Sequence, residues 1–302
     1  MMKDLGNKAI ALRGLTKNYG KARGISGLTM DVEEGDFFGF IGPNGAGKST
    51  TIRLLIGLLR PTEGECNVFG MDCWKEAQKV HAQVGYLPSE NAFYPGMRVR
   101  DVLELSAALR GKDCSREAAR LCEVLQLDTG RKAAELSFGN RKKLSVICAL
   151  QHDPQLLILD EPTGGLDPLM QRAFFDILRE RHRAGRTIFF SSHILTEVQE
   201  NCDHIAVIRD GCLAACDSTK NLIPHNVKTV RFAGRADLAG LPGIRNLTRE
   251  KQVCKFLYYG DTDALLRCLA AGHVEDVRIS EPDLEEVFMH YYEEAPHGPV
   301  CS

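Results

Sequence analysis

At 302 residues and 44% hydrophobic content, the chain is long enough for one large domain with a packed core and a small one beside it. Its 38 Lys and Arg against 40 Asp and Glu leave a formal charge of −2, so electrostatics give no reason to expect nucleic acid as a partner. The eleven cysteines are scattered and never form CxxC, the pattern of reduced thiols and not of a disulfide framework. No stretch approaches the roughly 18 consecutive apolar residues of a membrane span, and residues 1–8 lack the apolar centre of a signal peptide. The chain by itself is expected to be soluble and cytoplasmic.

In chain order, alternating segments at residues 9–13 and 28–32 predict antiparallel strands, followed by an apolar strand at 36–41. Helical periodicity then marks residues 48–59, 101–110 and 115–126. Strands are expected at 156–160, 187–191 and 204–208, and a helix at 168–184. In that helix Leu169, Ala173, Phe174, Ile177 and Leu178 make one apolar face, Pro168 suits the first turn and Gly185 the stop. Short apolar runs alternating with helices imply an α/β domain with a largely parallel core sheet.

After Asp217 the composition changes. Strand-like residues 227–232, 253–259 and 274–279, a helix at 264–271 and a closing helix from 283 to about 292 predict a separate accessory lobe. The boundary is placed near Ser218, giving domains 1–217 and 218–302. His204, Cys212 and Cys216 come nearest to a metal cluster, but an x3 gap across a predicted hairpin is weak ligand spacing, and buried or inert thiols are the preferred reading.

The stretch "IGPNGAGKST", residues 41–50, fits G-x-x-x-x-G-K-[ST] between a strand and a helix. Gly42, Pro43, Asn44, Gly45, Ala46, Gly47, Lys48, Ser49 and Thr50 are therefore the expected nucleotide cradle. Bare backbone turns its N–H groups inward, and with the helix N-terminus these hold phosphates. Lys48 is expected to neutralise the β and γ phosphates, and the Ser49 hydroxyl to ligate Mg²⁺. Further on, "LLILDE", residues 156–161, delivers two carboxylates at the end of a buried strand, the usual place for a site in a parallel sheet. Asp160 is placed to orient Mg²⁺ or its waters, and Glu161 to accept a proton from an attacking water.

These two elements, together with "ELSFGNRKKLSV", "GGLDP" and "SSH" in this order, resemble the nucleotide-binding subunit of an ATP-binding cassette (ABC) transporter over roughly residues 8–217. The resemblance implies a P-loop fold of the ABC ATPase type: a parallel core sheet, an antiparallel N-terminal subdomain, a helical subdomain at about 89–150, and here a small C-terminal α/β accessory domain. Ser137, Phe138, Gly139 and Asn140 match the family's signature loop, which clamps the γ-phosphate of ATP held by the opposite subunit. Asp167 matches the loop that communicates across that dimer, His193 the switch histidine that senses the γ-phosphate, and Tyr19 the aromatic that stacks on adenine. Read locally instead, Ser137 and Asp167 are candidate helix caps, and Tyr19 and His193 candidate packing residues.

Two departures from the family stand out. Ser89, with Glu90 beside it, occupies the place of the family's glutamine, and a serine hydroxyl reaches less far toward a metal. Phe138 replaces a second glycine and Asn140 a glutamine; a bulky residue at 138 is unfavourable if the backbone there needs φ > 0.

The tail ending "EPDLEEVFMHYYEE" resembles the accessory region of ATPases from bacterial exporters whose permease is a separate polypeptide. The resemblance thus implies an ATP-hydrolysing subunit, with ATP and Mg²⁺ as cofactors, dimerising with itself or a related ATPase. It would lie peripherally at the inner face of the cell membrane on a permease, which the segment of residues 89–110 would contact through Phe93, Tyr94 and Met97. The alternatives are a soluble ABC ATPase serving a ribosomal or nucleic-acid machine, and a regulatory module that hydrolyses ATP feebly.

Overall fold

A computed structural model describes residues 8–20, 22–222, 227–280 and Pro282. Numbering elements along the chain, an antiparallel sheet of order β2-β1-β4-β5 is built from β1 (Lys8–Tyr19), β2 (Ala22–Glu33), β4 (Glu63–Val68) and β5 (Met71–Asp72). The central sheet has the order β10-β9-β3-β8-β7-β6, from β3 (Phe37–Ile41), β6 (Val84–Leu87), β7 (Leu156–Asp160), β8 (Thr187–Ser192), β9 (His204–Arg209) and β10 (Cys212–Ser218). All its pairings are parallel except that of β10 with β9. Every residue of β3, β7 and β8 is buried, as expected where a parallel sheet is covered on both faces.

Strand alternation on β3 feeds two cores. Phe37 and Ile41 join the larger one, while Phe38 and Phe40 join a second that lies toward the antiparallel sheet and includes Ile10, Leu12 and Val32. Phe38 stacks on Phe189 with ring centroids 5.9 Å apart, and Phe37 meets Phe190 edge-on at 6.1 Å, so neighbouring strands are locked on both faces.

The helices are α1 (Lys48–Leu55), α2 (Ala77–Gln83), α3 (Val99–Leu109), α4 (Ser115–Val124), α5 (Phe138–Leu150), α6 (Pro168–Arg183), α7 (Leu195–Asn201), α8 (Thr219–Leu222) and α9 (Thr262–Ala270). Leu103, Leu121 and Leu144 tie α3, α4 and α5 to the larger core. A third sheet, β12-β13-β11-β14, is wholly antiparallel: β11 (Val227–Arg235), β12 (Ile244–Glu250), β13 (Val253–Tyr259) and β14 (His273–Ser280). Leu265 and Leu269 of α9 close its core against Phe232 and Phe256.

Several boundaries differ from expectation. The helix expected over 48–59 ends at Leu55, because the chain turns left-handed at Gly57 (φ 64°), whose amide donates back to Leu54 O at 3.0 Å. The helix expected from 101 starts at Val99, since the Asp101 carboxylate accepts from the Arg98 amide at 2.9 Å and stabilises an earlier first turn. Phe93 and Met97, expected at the surface, pack against the larger core, whereas Tyr94 is exposed. The closing helix expected at 283–292 lies outside the described residues. No helix among the described residues is long and apolar enough to cross a membrane.

Candidate functional site

The loop after β3 is shaped by close approach. Gly47 holds φ 113°, and a Cβ there would sit 2.7 Å from Cγ2 of Ile25, so neither the backbone nor the space admits a side chain. α1 begins immediately after it, with no acidic residue in its first turn to compete with an anion. Ser49 and Thr50 are half-buried in that turn, and Asn44 and Gly45 are exposed at the loop tip. The Lys48 side chain, 5% exposed, folds back across the loop and donates to Gly42 O at 2.7 Å and Pro43 O at 3.2 Å. These bonds fix its ammonium at the mouth of the cradle.

The strand end of β7 faces this ammonium. Asp160 is buried and accepts from the Ser191 hydroxyl of β8 at 2.8 Å. Glu161 takes φ 45°, a left-handed conformation uncommon for a residue with a side chain, and its amide donates to Ser191 O and Oγ, both at 3.2 Å. The turn sends Glu161 Oε1 to 3.3 Å from Lys48 Nζ and 3.4 Å from His193 Nδ1. His193 follows β8 and is held by its neighbour: the Ser192 hydroxyl donates to Glu197 Oε2 at 2.7 Å and accepts from the Ile194 amide at 3.0 Å. Lys48, the Asp160–Glu161 pair and His193, from three separate parts of the chain, thus form one cluster.

The remaining expected residues stand elsewhere. Ser137 caps α5 by accepting from the Asn140 amide at 3.3 Å, and Asp167 caps α6 by accepting from Leu169 and Met170 amides at 3.1 and 3.0 Å. Phe138 opens α5 outside the left-handed region, so its bulk causes no backbone conflict. Its ring lies against Gly165, where a Cβ would overlap it, and a Cβ on Gly139 would come 2.7 Å from Gly165 O; the signature turn and the loop before Asp167 are thereby fitted to each other. Phe138 is 57% exposed. Tyr19, 41% exposed, ends β1 with the Lys17 ammonium 5.6 Å over its ring. Ser89 is half-buried just beyond β6. His204 and Cys212 lie at opposite ends of the β9–β10 hairpin: His204 is in register with Ser218 and its Nδ1 is 3.0 Å from Asp36 Oδ2, whereas Cys212 is opposite Arg209.

Two residues near the cluster escaped the sequence reading. Glu197, on α7, is buried, and that burial pushes its carboxyl above the usual range against hydrogen bonds from Ser192 and Thr163. Lys142, on α5, is 1% exposed and donates to Pro88 O at 3.3 Å and Ser89 O at 3.5 Å. Burial lowers its ammonium to about 8, with Asp160 and Glu161 acting in the opposite sense. Neither was singled out from sequence, and on α5 the unbroken burial of residues 142–147 leaves no amphipathic phase that could mark Lys142 as inward.

A backbone cradle with a fixed ammonium, facing a carboxylate pair and a histidine, is suited to hold a nucleotide's phosphates and to position a water against them. The oxygen donors at hand, the Ser49 hydroxyl and the Asp160 carboxylate, fit a hard divalent cation such as Mg²⁺. Comparison with known proteins agrees. Residues 25–164 match the family model described as "ABC transporter". The bacitracin transport ATP-binding protein BcrA of Bacillus licheniformis is 37% identical over 224 residues, 72% of each chain. The ABC transporter ATP-binding protein YhaQ of Bacillus subtilis, itself uncharacterized, is 37% identical over 290 residues, 91% of this chain and 95% of that one. A solved ATP-binding subunit of an ABC transporter superposes with a TM-score of 0.68 at 28% identity, covering 71% of this chain and 91% of its own. The nucleotide cradle, the strand-end carboxylates and these matches in sequence and structure place the chain in one family: it belongs to the ATP-binding subunits of ABC transporters.

Proposed function

We propose that this subunit hydrolyses Mg-ATP as one half of a two-ATPase sandwich and thereby drives export through a separate membrane permease, lying at the cytoplasmic face of the membrane. The observation that carries the reading is the position of Glu161 Oε1, within 3.4 Å of both Lys48 Nζ and His193 Nδ1. Lys48 pairs with the β and γ phosphates of the substrate, and the amides of residues 42–50 wrap them. Glu161 accepts the proton of the attacking water as that water approaches the γ-phosphorus, and His193 donates to the phosphoryl oxygens beside it. Ser49 and Asp160 would hold Mg²⁺, with a minor part for Ser89, and its contribution is to neutralise charge on the phosphates. Tyr19 offers its exposed ring to adenine.

Ser137, Phe138, Gly139, Asn140 and Asp167 lie in the first turns of α5 and α6 or just before them, away from the cluster of their own chain. They act on the nucleotide of the partner ATPase, identical or related. For the permease, a groove of about 470 Å³ is available between the two subdomains, lined by Ile56, Leu58, His81, Val84, Leu109 and Arg110. Leu58 and Leu109 are 59% and 79% exposed there, an apolar pair that a docking helix would cover. Tyr94, 72% exposed, is a further contact, whereas Phe93 and Met97 are committed to the core. Export is favoured by the resemblance of the tail to exporter ATPases; the match to YhaQ extends over 91% of this chain and so beyond the ATPase domain.

Recovery of the tagged chain from gently solubilised membranes tests the reading. A polytopic membrane protein is expected to co-purify in stoichiometric amount, and to be lost from the Leu109→Asp protein. Recovery from the soluble fraction alone would contradict the coupling to transport.

A further inference from the structure

Lysine is among the residues least often fully buried, yet Lys142 is 1% exposed in the second turn of α5. An ammonium withdrawn from water needs compensation from oxygens or from opposite charge. Here the oxygens are two main-chain carbonyls, Pro88 O at 3.3 Å and Ser89 O at 3.5 Å, and among the described residues no carboxylate forms an ion pair with it. Asp160 and Glu161 lie beside that loop, because Leu87, which precedes Pro88, is in register with Leu159 of β7, which precedes Asp160, and their charge favours the ammonium. One buried cation therefore stands where three parts meet: the helix headed by Ser137, the loop leaving β6, and the strand end that carries the carboxylates.

We propose that Lys142 is a positioning residue for hydrolysis, tying the Pro88–Ser89 carbonyls and helix α5 to the Asp160–Glu161 strand end so that the signature turn and the hydrolytic centre move together. The inference rests on the ATPase reading given above. A serine reaches less far than a glutamine, and the contact with this loop is made from the other direction, by the long Lys142 side chain reaching the loop's carbonyls from α5. The attraction is to charge on the carboxylates as well as to the carbonyl oxygens, so a neutral side chain of equal length breaks it while filling the same space. Replacement of a buried charge by an apolar isostere is often neutral or favourable to stability, which separates this role from a structural one.

The test compares the parent protein with Lys142→Met in steady-state ATP hydrolysis, binding of a fluorescent ATP analogue and thermal melting. The Met protein is expected to melt no lower than the parent and to bind the analogue within about threefold of it, while kcat falls by about tenfold or more. A kcat within about twofold of the parent would overturn the inference, as would a loss of kcat matched by an equal loss of nucleotide affinity. If the Met protein does not fold, Lys142→Gln, which keeps a donor without the charge, carries the same criteria. A parent protein without turnover dependent on Glu161 would remove the ATPase reading and this inference together; an active parent with an indifferent Lys142→Met would remove this inference alone.

Discussion

Glu161 occupies a left-handed backbone conformation, φ 45°, at a cost of order 1 kcal/mol that a glycine would avoid. What offsets it is local: the amide bonds to Ser191 O and Oγ at 3.2 Å, and the same hydroxyl donates to Asp160. One serine therefore anchors the Asp160 carboxylate and the Glu161 main chain, and the tight turn brings the Glu161 carboxylate to Lys48 and His193. His193 is held by its main chain, through Ser192 and Glu197, while its ring is 51% exposed and near Glu161 at a single edge. A ring so placed adds little to the fold, which suits the role proposed for it beside the phosphate. For His193→Ala, kcat is expected to fall by about tenfold or more with ATP affinity kept within about threefold. A coupled hydrolysis assay beside a binding titration checks this, and an unchanged rate would remove His193 from the hydrolytic set.

At the scale of elements, the turn after α5 is fixed to β6 by His152, which is 3% exposed with Nε2 3.4 Å from Val84 O. Burial pushes its pKa down to about 4, with Arg110 acting in the same direction. The unfolded chain, with an ordinary histidine, binds the proton more readily than the folded one. The stability this burial supports is present in full above pH 6.5 and is lost as the pH falls toward 4, by about 3 kcal/mol in all. Urea midpoints at pH 7 and pH 4.5 should show that loss, and His152→Gln should flatten the difference; equal slopes in both proteins would contradict it.

Elements with an emphatic local signal were legible from sequence alone. Residues 156–160 and 253–259 are strands with those bounds, because a continuous apolar run in one case and dense β-formers in the other leave no competing conformation. The phosphate loop was legible because its glycine spacing is a backbone requirement. β4, β6 and β12 were not: "EGECNV" and the edge strand "IRNLTRE" are exposed over much of their length with weak alternation, and "VGYL" is four residues long. Lys142 and Glu197 were illegible for another reason. A charged side chain in sequence reads as solvated, and what draws it inward, the carbonyls of Pro88 and Ser89 or the hydroxyl of Ser192, comes from elsewhere in the chain.

In the whole molecule, the C-terminal sheet is not an isolated appendage. Val227 and Leu257 join Leu222 in the larger core, which also includes Phe37, Phe174 and Phe190 behind the phosphate site. The lobe therefore shares packing with the ATPase domain. On the ATPase surface, the candidate residues fall into two groups. The signature turn at Ser137 and the cap at Asp167 are exposed and fitted to each other through Phe138 and Gly165, while the hydrolytic cluster forms around Lys48 and Glu161. On the proposed function, ATP assembles a pair in which a second ATPase brings each of these surfaces what it lacks. Sedimentation velocity of the Glu161→Gln protein, which keeps Lys48 and the cradle but loses the general base, tests it most directly. With ATP and Mg²⁺ a species of twice the monomer mass, absent with ADP, is expected; a monomer at saturating ATP would rule out the ATP-assembled pair.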